Sequence, residues 1–251
     1  VSRKATEMAI EKAKKNNVGI ITVRNVYHIG RLGEYPMMMA EKDLIGFICT
    51  KSSAGMAPAG GTSKVLGNDP LAFAIPADKE DPILVDFAMS VVAVGKVFVQ
   101  AAKNEKIPDG WMVDKDGNPT NEPDDFLKGG RVLPFNPQHK GTALSVVVEI
   151  LGAILSGVGP LTAYGGNASM IICLNIEPFQ PLSKFKAEVD KLITDLRNAP
   201  RAPGVDRIDV PGDPERRTKE NRLRDGIPIP DKTWETLKSA AEKVSVESPQ
   251  L

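Results

Sequence analysis

Histidine and cysteine are scarce in this chain of 251 residues, which holds only two of each. The histidines, His28 and His139, are far apart in the sequence, and the cysteines, Cys49 and Cys173, are not paired at metal-ligand spacing. We therefore expect no metal site. Both cysteines lie within apolar runs, and this setting favours buried, reduced thiols over a disulfide.

Long apolar runs and an excess of charge are also missing. No run approaches the roughly 20 apolar residues of a membrane-spanning helix, and the N-terminal stretch VSRKATEMAIEKAKKNN has the pattern of a charged helix rather than a signal peptide. Lys plus Arg and Asp plus Glu number 32 each. This balance favours neither nucleic acid nor an anionic membrane as partner. We therefore expect a cytoplasmic enzyme or binding protein.

Three common fingerprints of catalysis or nucleotide binding are absent from the sequence. There is no GxSxG nucleophile elbow, no Walker loop and no GxGxxG dinucleotide motif. The stretch GGTSK at 60–64 resembles a phosphate-binding loop in composition only. A Rossmann domain therefore has no motif to support it.

Apolar periodicity predicts an α/β protein. The first half opens as helix, strand, helix, strand, which is βαβ-like, and a second group of strands and helices follows a long loop. Residues 141–158 are apolar on nearly every side and are predicted to form a buried central helix. The remaining predicted helices cover residues 2–17, 35–43, 91–106, 185–199 and 231–244, and the predicted strands cover residues 18–23, 44–50, 71–77, 82–90 and 170–178.

The segments between these elements are rich in glycine, proline and charge. Residues 51–70 are small and polar, so we expect a loop that contributes nothing to the core. A loop of this length is uncommon unless it has a function. We expect one catalytic and cofactor-binding unit over residues 1–251, with a turn-rich segment at 110–141 and a C-terminal extension at 200–251 that packs back on it.

His28 is a candidate acid–base residue. It follows the apolar run at 18–23 and precedes Gly30 and Gly33. Imidazole side chains exchange protons near neutral pH, and glycine lets a substrate approach the backbone closely. Asn25 could orient the ring if the turn brings it back. The alternative is a histidine that only satisfies a carbonyl in the turn.

The second histidine belongs to a possible anion site. His139, Lys140 and Gly141 come directly before the long apolar helix. The lysine charge and the first N–H groups of a helix would together attract a phosphate or a carboxylate. The alternative is a helix start whose lysine is simply solvated.

Asp86 ends the apolar run PILVD within the predicted strand 82–90, and Phe-Ala-Met-Ser follows it. A carboxylate at the end of a strand often binds a ligand hydroxyl or caps the next helix. Ser90 could provide that cap instead. By itself Asp86 is weak evidence for a site.

Seven blocks in one order resemble a known family. They are NVYHIG, GGTSKVLGNDPLAFAIPA, ILVDFAMS, GK, IPDGW, D-x-x-G-x-P-T and HKGTALSVVVEILGAILSG. Together they resemble the malate/L-lactate dehydrogenase family of the non-Rossmann type, over residues 5–240. Relatives in that family act on ureidoglycolate, sulfolactate, diketogulonate and imino acids. The resemblance implies its non-Rossmann NAD(P)-binding α/β fold, with a mixed sheet and a buried central helix.

The resemblance also implies the chemistry and the site. We expect hydride transfer between a 2-hydroxy acid of the malate or L-lactate type and its 2-oxo acid, with NAD or NADP as cofactor, in a homodimer. The family's histidine falls on His28, as proton donor or acceptor, with Asn25 beside it. The implied cofactor contacts are Ser52, Asp86, Phe87, Ala88, His139, Lys140, Gly141 and, less directly, Arg222.

Two departures from the family keep alternatives open. Family chains carry a further N-terminal segment with a substrate-binding arginine, and this chain starts after it, so a catalytically silent cofactor-binding subunit is one alternative. The sequence Gly67-Asn68-Asp69-Pro70 stands where the family usually has Gly-Thr-Asn-Pro. A carboxylate at Asp69 could repel an acidic substrate or select an amine, so a cyclic imino acid reductase is the other.

Overall fold

The computed structural model describes residues 1–136, 138–160 and 166–247. Position 137 of the turn-rich segment, residues 161–165 and the last four residues of the C-terminal extension lie outside these ranges. The helices are α1 Ser2–Asn16, α2 Glu34–Ala40, α3 Val94–Lys103, α4 Gln138–Val148, α5 Leu182–Arg197, α6 Asp213–Asp225 and α7 Asp231–Lys243. The strands are β1 Val18–Val26, β2 Leu44–Lys51, β3 Leu71–Ile75, β4 Ile83–Phe87, β5 Met112–Val113, β6 Pro119–Thr120, β7 Arg131–Val132 and β8 Asn167–Asn175. None of the helices in the described part of the chain is long and apolar enough to span a membrane.

A five-stranded sheet with the order β1-β8-β2-β3-β4 forms the centre. The predicted α/β class is confirmed, but each strand in this sheet runs antiparallel to its neighbours, so the expectation of a mixed sheet was wrong. The βαβ-like opening also needs correction, because β8 lies between β1 and β2 and pairs with both. Local periodicity cannot show that a strand from the second half of the chain enters between the first two.

Helices α1 and α2 cover one face of the sheet. The apolar side of α1 is made of small residues, Ala5, Ala9 and Ala13, which are buried in the core with Met39 and Ile48. Small side chains let the helix approach β1 so closely that a Cβ on Gly19 would lie 2.0 Å from the carbonyl oxygen of Ala9. Glycine in β1 therefore sets the distance between helix and sheet.

The other face is covered by α3, α4 and the long loop. The loop does contribute to the core, against expectation: Met56, Ala57 and Leu66 are buried. Met56 and Leu66 exchange backbone hydrogen bonds of 3.0 and 3.1 Å, which closes the loop on itself and turns these side chains inward. The buried thiol of Cys49 lies in the same core, and both cysteines are free and buried as predicted.

The long apolar helix differs from its prediction. Helix α4 continues as a π-helix at Glu149–Ile154, and its buried side carries Gly141, Ser145 and Gly152, of which Gly152 lies against β2 and β8. Small residues there allow close packing. Val148 is buried, but most of the larger aliphatic side chains lie outside, and Leu155 is 59% exposed, so the helix is not buried on all sides.

The C-terminal extension contains a helix that the Pro- and charge-rich pattern did not predict. Asp213 starts α6 and accepts hydrogen bonds from Arg197 at 2.9 Å and Arg216 at 2.7 Å. The carbonyl of Pro211 accepts a backbone hydrogen bond from Leu84 at 3.0 Å. These contacts attach the first part of the extension to β4.

Candidate active site

A cleft of about 710 Å³ opens where β1, β2 and β4 end. Its volume lies in the range of small-molecule and cofactor sites. Five of the residues singled out from the sequence line it together: His28, Ser52, Asp86, Phe87 and Ala88. Aromatic and aliphatic side chains complete the wall, among them Val92, Phe98 and Trp111.

His28 lies on a loop that is held on both sides of it. The carbonyl of Tyr27 accepts a hydrogen bond of 3.2 Å from Asn167 on β8. The carbonyl of Ile29 accepts one of 2.5 Å from the Tyr35 hydroxyl on α2. The imidazole itself is exposed and makes no hydrogen bond to the described residues, so it does not serve to satisfy a turn carbonyl. Neither Tyr35 nor Asn167 carried a local sequence signal.

The Asp86 side chain on β4 forms a hydrogen bond with the end of the same loop. Its Oδ2 accepts a hydrogen bond of 2.7 Å from the Gly33 N–H, and Arg31 Nε lies 4.0 Å from this oxygen. Burial raises the pKa of Asp86, and the Gly33 and Arg31 contacts oppose this. Oδ1 has no hydrogen bond within the described ranges and remains available to a ligand hydroxyl. Asp86 does not cap α3, whose first turn has no side-chain cap.

A polar cluster lies beneath the floor of the cleft around Ser52. The Ser52 hydroxyl donates to Asn68 Oδ1 at 2.7 Å, and the Ser52 N–H donates to Asp69 Oδ1 at 3.2 Å. Asp69 Oδ2 accepts a hydrogen bond from the Ser145 hydroxyl on α4. Asp69 is fully buried and does not line the cleft. The expectation that its carboxylate would meet the substrate was therefore wrong.

The other predicted residues are not brought into the cleft. Gly141 packs against the segment after Ala88, since a Cβ there would lie 2.9 Å from the Met89 carbonyl oxygen. His139 and Lys140 are exposed next to it, whereas Arg222 is exposed on α6. Asn25 has a left-handed backbone (φ 58°) at an irregularity of β1. It lines a neighbouring hollow with His28, but no hydrogen bond joins the two residues.

A second cavity, of about 600 Å³, lies between α5 and α6. Four of the arginines that line it form ion pairs: Arg197 with Glu80, Arg217 and Arg207 with Asp209, and Arg216 with Asp81. Arg201 donates to the backbone carbonyl of Asp206. The four paired charges are already compensated, and the walls carry few apolar groups for a ligand. The part of the chain that the structure describes contains no group of three or more potential metal ligands.

Comparison with known proteins gives consistent matches over almost the whole chain. The profile of a family described as malate/L-lactate dehydrogenase matches residues 1–238. The malate dehydrogenase of Pyrococcus abyssi is 38% identical over 265 aligned positions, which cover 100% of this chain and 73% of that protein. A Delta(1)-pyrroline-2-carboxylate/Delta(1)-piperideine-2-carboxylate reductase of Pseudomonas syringae pv. tomato is 30% identical, covering 94% of this chain and 70% of that protein. The crystal structure of malate dehydrogenase from Entamoeba histolytica superposes with a TM-score of 0.92 at 29% identity, covering 99% of this chain and 74% of that one.

Proposed function

The chain belongs to the malate/L-lactate dehydrogenase family and is a dehydrogenase of 2-hydroxy acids, and we propose that it interconverts malate or L-lactate and the matching 2-oxo acid with His28 as acid–base residue. The observation that carries this proposal is the cleft that His28 shares with Ser52 and the segment Asp86–Ala88. One ligand site thereby joins a proton-transfer group to the residues implied in cofactor binding.

His28 moves the proton in this proposal. In the direction of oxidation, the imidazole accepts the proton of the substrate hydroxyl, and in reduction it returns a proton to the carbonyl oxygen. The hydrogen bonds at Tyr27 and Ile29 fix the backbone on both sides of the ring. Fixed geometry matters here because positioning of the reacting groups supplies much of the rate.

The cleft fits a nicotinamide cofactor, NAD or NADP, which would supply the hydride carrier. Ser52 would offer its hydroxyl, and Asp86 would offer its Oδ1 as acceptor for a ribose hydroxyl. Phe87, which is 42% exposed, and Phe98, which is 44% exposed, provide flat apolar surface for a ring. Gly141 and the exposed pair His139 and Lys140 lie beyond Ala88, where an anionic group of the cofactor would meet positive charge.

We also propose that the protein is a homodimer. An apolar surface on the outer side of α4 and the π-helix supports this, with Leu144, Val147, Ile154 and Leu155 exposed. Exposed apolar surface of this kind is typical of interfaces. Light scattering on the purified protein checks the prediction, and a monomer at micromolar concentration would contradict it.

The cyclic imino acid alternative loses its structural support. It depended on Asp69 facing the substrate, whereas that carboxylate is buried beneath the cleft floor. The Pseudomonas syringae reductase is also less similar to this chain, at 30% identity over 94% of it, against 38% over 100% for the malate dehydrogenase. A 2-oxo acid is therefore the substrate we propose.

The test is oxidation of NADH and of NADPH, scanned against oxaloacetate, pyruvate and a cyclic imino acid. We expect turnover with a 2-oxo acid. His28→Asn should reduce turnover at least a hundredfold, the usual contribution of a general acid, while fluorescence titration still shows cofactor binding. Full activity in that variant would sink the assignment of His28, and binding without turnover in the unmodified protein would favour the silent subunit.

A further inference from the structure

We propose that Asp69 is a positioning residue for the cofactor side of the cleft, whose ionised carboxylate holds Ser52 in place without touching a ligand. This inference rests on the proposed function, since it assumes that Ser52 contacts the cofactor. It assigns a role to a charged group that lies outside the cleft and outside the residues implied by the family resemblance.

Two hydrogen bonds join Asp69 directly to Ser52. Asp69 Oδ1 accepts the Ser52 N–H at 3.2 Å, and the Asp69 N–H donates to the Ser52 hydroxyl oxygen at 3.2 Å. That hydroxyl in turn donates to Asn68 at 2.7 Å. On the far side, Ser145 of α4 donates to the second carboxylate oxygen. Asp69 therefore links the cleft residue Ser52 to the buried side of α4.

The backbone is shaped for this contact. Asp69 has a φ of 38°, in the left-handed region that non-glycine residues rarely adopt. A Cβ on Gly67 would lie 2.3 Å from Asp69 Oδ1 and 2.5 Å from the Ser52 hydroxyl oxygen. Only glycine at position 67 leaves room for the carboxylate and the hydroxyl to meet. Strain and close approach of this kind concentrate at functional sites.

A small set of neighbouring groups determines at which pH the Asp69 carboxyl group is ionised. The positive charge of Lys51 on β2 attracts the Asp69 carboxylate, and Glu149 of the π-helix acts on the same lysine. Burial and the negative charge of Asp69 raise the pKa of the nearby Cys49 thiol, which is neutral and therefore adds no charge to the cluster. Burial raises the pKa of Asp69 to about 6, against the hydrogen bonds from Ser145, Ser52 and Gly67 and the charge of Lys51. The carboxyl group therefore changes its charge within the pH range in which enzymes are assayed.

Protonation of the Asp69 carboxylate weakens the hydrogen bond that it accepts from the Ser52 N–H. A hydrogen bond to an ionised acceptor is about twice as strong as one to a neutral acceptor. Below pH 6 the carboxyl group becomes neutral, and Ser52 is held less firmly. Binding of the cofactor must then order Ser52, and this entropic cost weakens the affinity. Asp69→Asn imitates this neutral form, and asparagine is among the residues that best tolerate the left-handed backbone.

The experiment measures the KM for NADH and NADPH and the kcat from pH 5 to 8, in the unmodified protein and in Asp69→Asn. We expect the KM of the unmodified protein to rise about five- to tenfold as the pH falls through 6. The variant should show the high KM at every pH, with kcat at saturating cofactor changed less than twofold. A merely structural role would lower the melting temperature without this change in pH profile.

Matched variants separate position from chemistry. Asp213→Asn makes the same change on α6, away from the cleft, and should leave both KM and its pH profile unchanged. Ser145→Ala removes one partner of Asp69 and should raise the KM moderately, whereas Ser156→Ala, in the turn that follows the π-helix, should not. These serine variants also keep the inference testable if Asp69→Asn fails to fold.

Two negative results have different meanings. If the unmodified protein binds the cofactor, but Asp69→Asn and Ser145→Ala keep its KM and pH profile, the role of Asp69 is refuted and the proposed function stands. If direct titration shows that the unmodified protein binds neither NADH nor NADPH, both proposals fall.

Discussion

Because the carboxyl group of Asp69 is buried, we expect it to make the free energy of unfolding depend on pH. Burial raises its pKa from 3.8 to about 6, so the folded protein binds a proton more tightly than the unfolded chain does. Asp69 therefore contributes stability that is fully present below pH 3.8 and is lost as the pH rises through 6. The difference of about two pKa units corresponds to about 3 kcal/mol of unfolding free energy.

Asp69→Asn removes this dependence because the amide does not titrate. The free energy of unfolding of the variant, minus that of the unmodified protein, should increase by about 1.4 kcal/mol between pH 5 and pH 7.5. The change with pH is the quantity to compare, since a constant offset from altered hydrogen bonds cancels. Urea denaturation, followed by tryptophan fluorescence and circular dichroism, measures it at each pH.

A control with the opposite sign is present in the same chain. The Arg197 and Arg216 guanidinium groups, together with the Val210 N–H, outweigh burial and lower the pKa of Asp213. Its stabilising contribution is present above the ordinary carboxyl pKa and is lost as the pH falls further. Asp213→Asn should therefore be destabilised most at neutral pH. Parallel pH curves for the unmodified protein and Asp69→Asn would refute the assignment of a raised pKa to Asp69.

Three further predictions follow from the contacts that hold the site. Tyr35→Phe removes the hydrogen bond to the Ile29 carbonyl, worth about 1 kcal/mol net, and steady-state kinetics should show kcat reduced about fivefold; an unchanged kcat would mean that this bond does not position the histidine loop. Gly33→Ala places a Cβ 2.9 Å from Asp86 Oδ2 and so disturbs the hydrogen bond between the Gly33 N–H and Asp86. We expect kcat/KM to fall with little loss of melting temperature, and an unchanged kcat/KM would mean that this hydrogen bond does not position the histidine loop. Met39→Ala leaves a cavity in the core between the sheet and the two N-terminal helices and should cost about 2–5 kcal/mol in urea denaturation with kcat preserved; a cost below 1 kcal/mol would contradict the tight packing of that core.

The sequence by itself determined where most helices and strands lie. Repeats of 3.6 and 2 residues depend on neighbours along the chain, so α1, α2, β2, β3, α5 and α7 were predicted close to their observed bounds. Helix α6 was missed because its residues are charged on all sides, and it is held by ion pairs rather than by an apolar face. The ordered blocks around His28 and Asp86 indicated the family before any contact was known.

Only the tertiary structure decided the strand order and which polar groups meet. Gly33 and Asp86 are 53 residues apart, and Asp69 and Ser145 are 76 apart. Whether such pairs touch depends on how β8 enters the sheet and how α4 packs across it, which no local pattern encodes. The same residue types could have faced solvent. The physical reason is that periodicity reports burial of a face, whereas a site requires particular atoms from distant segments to converge at hydrogen-bond distance.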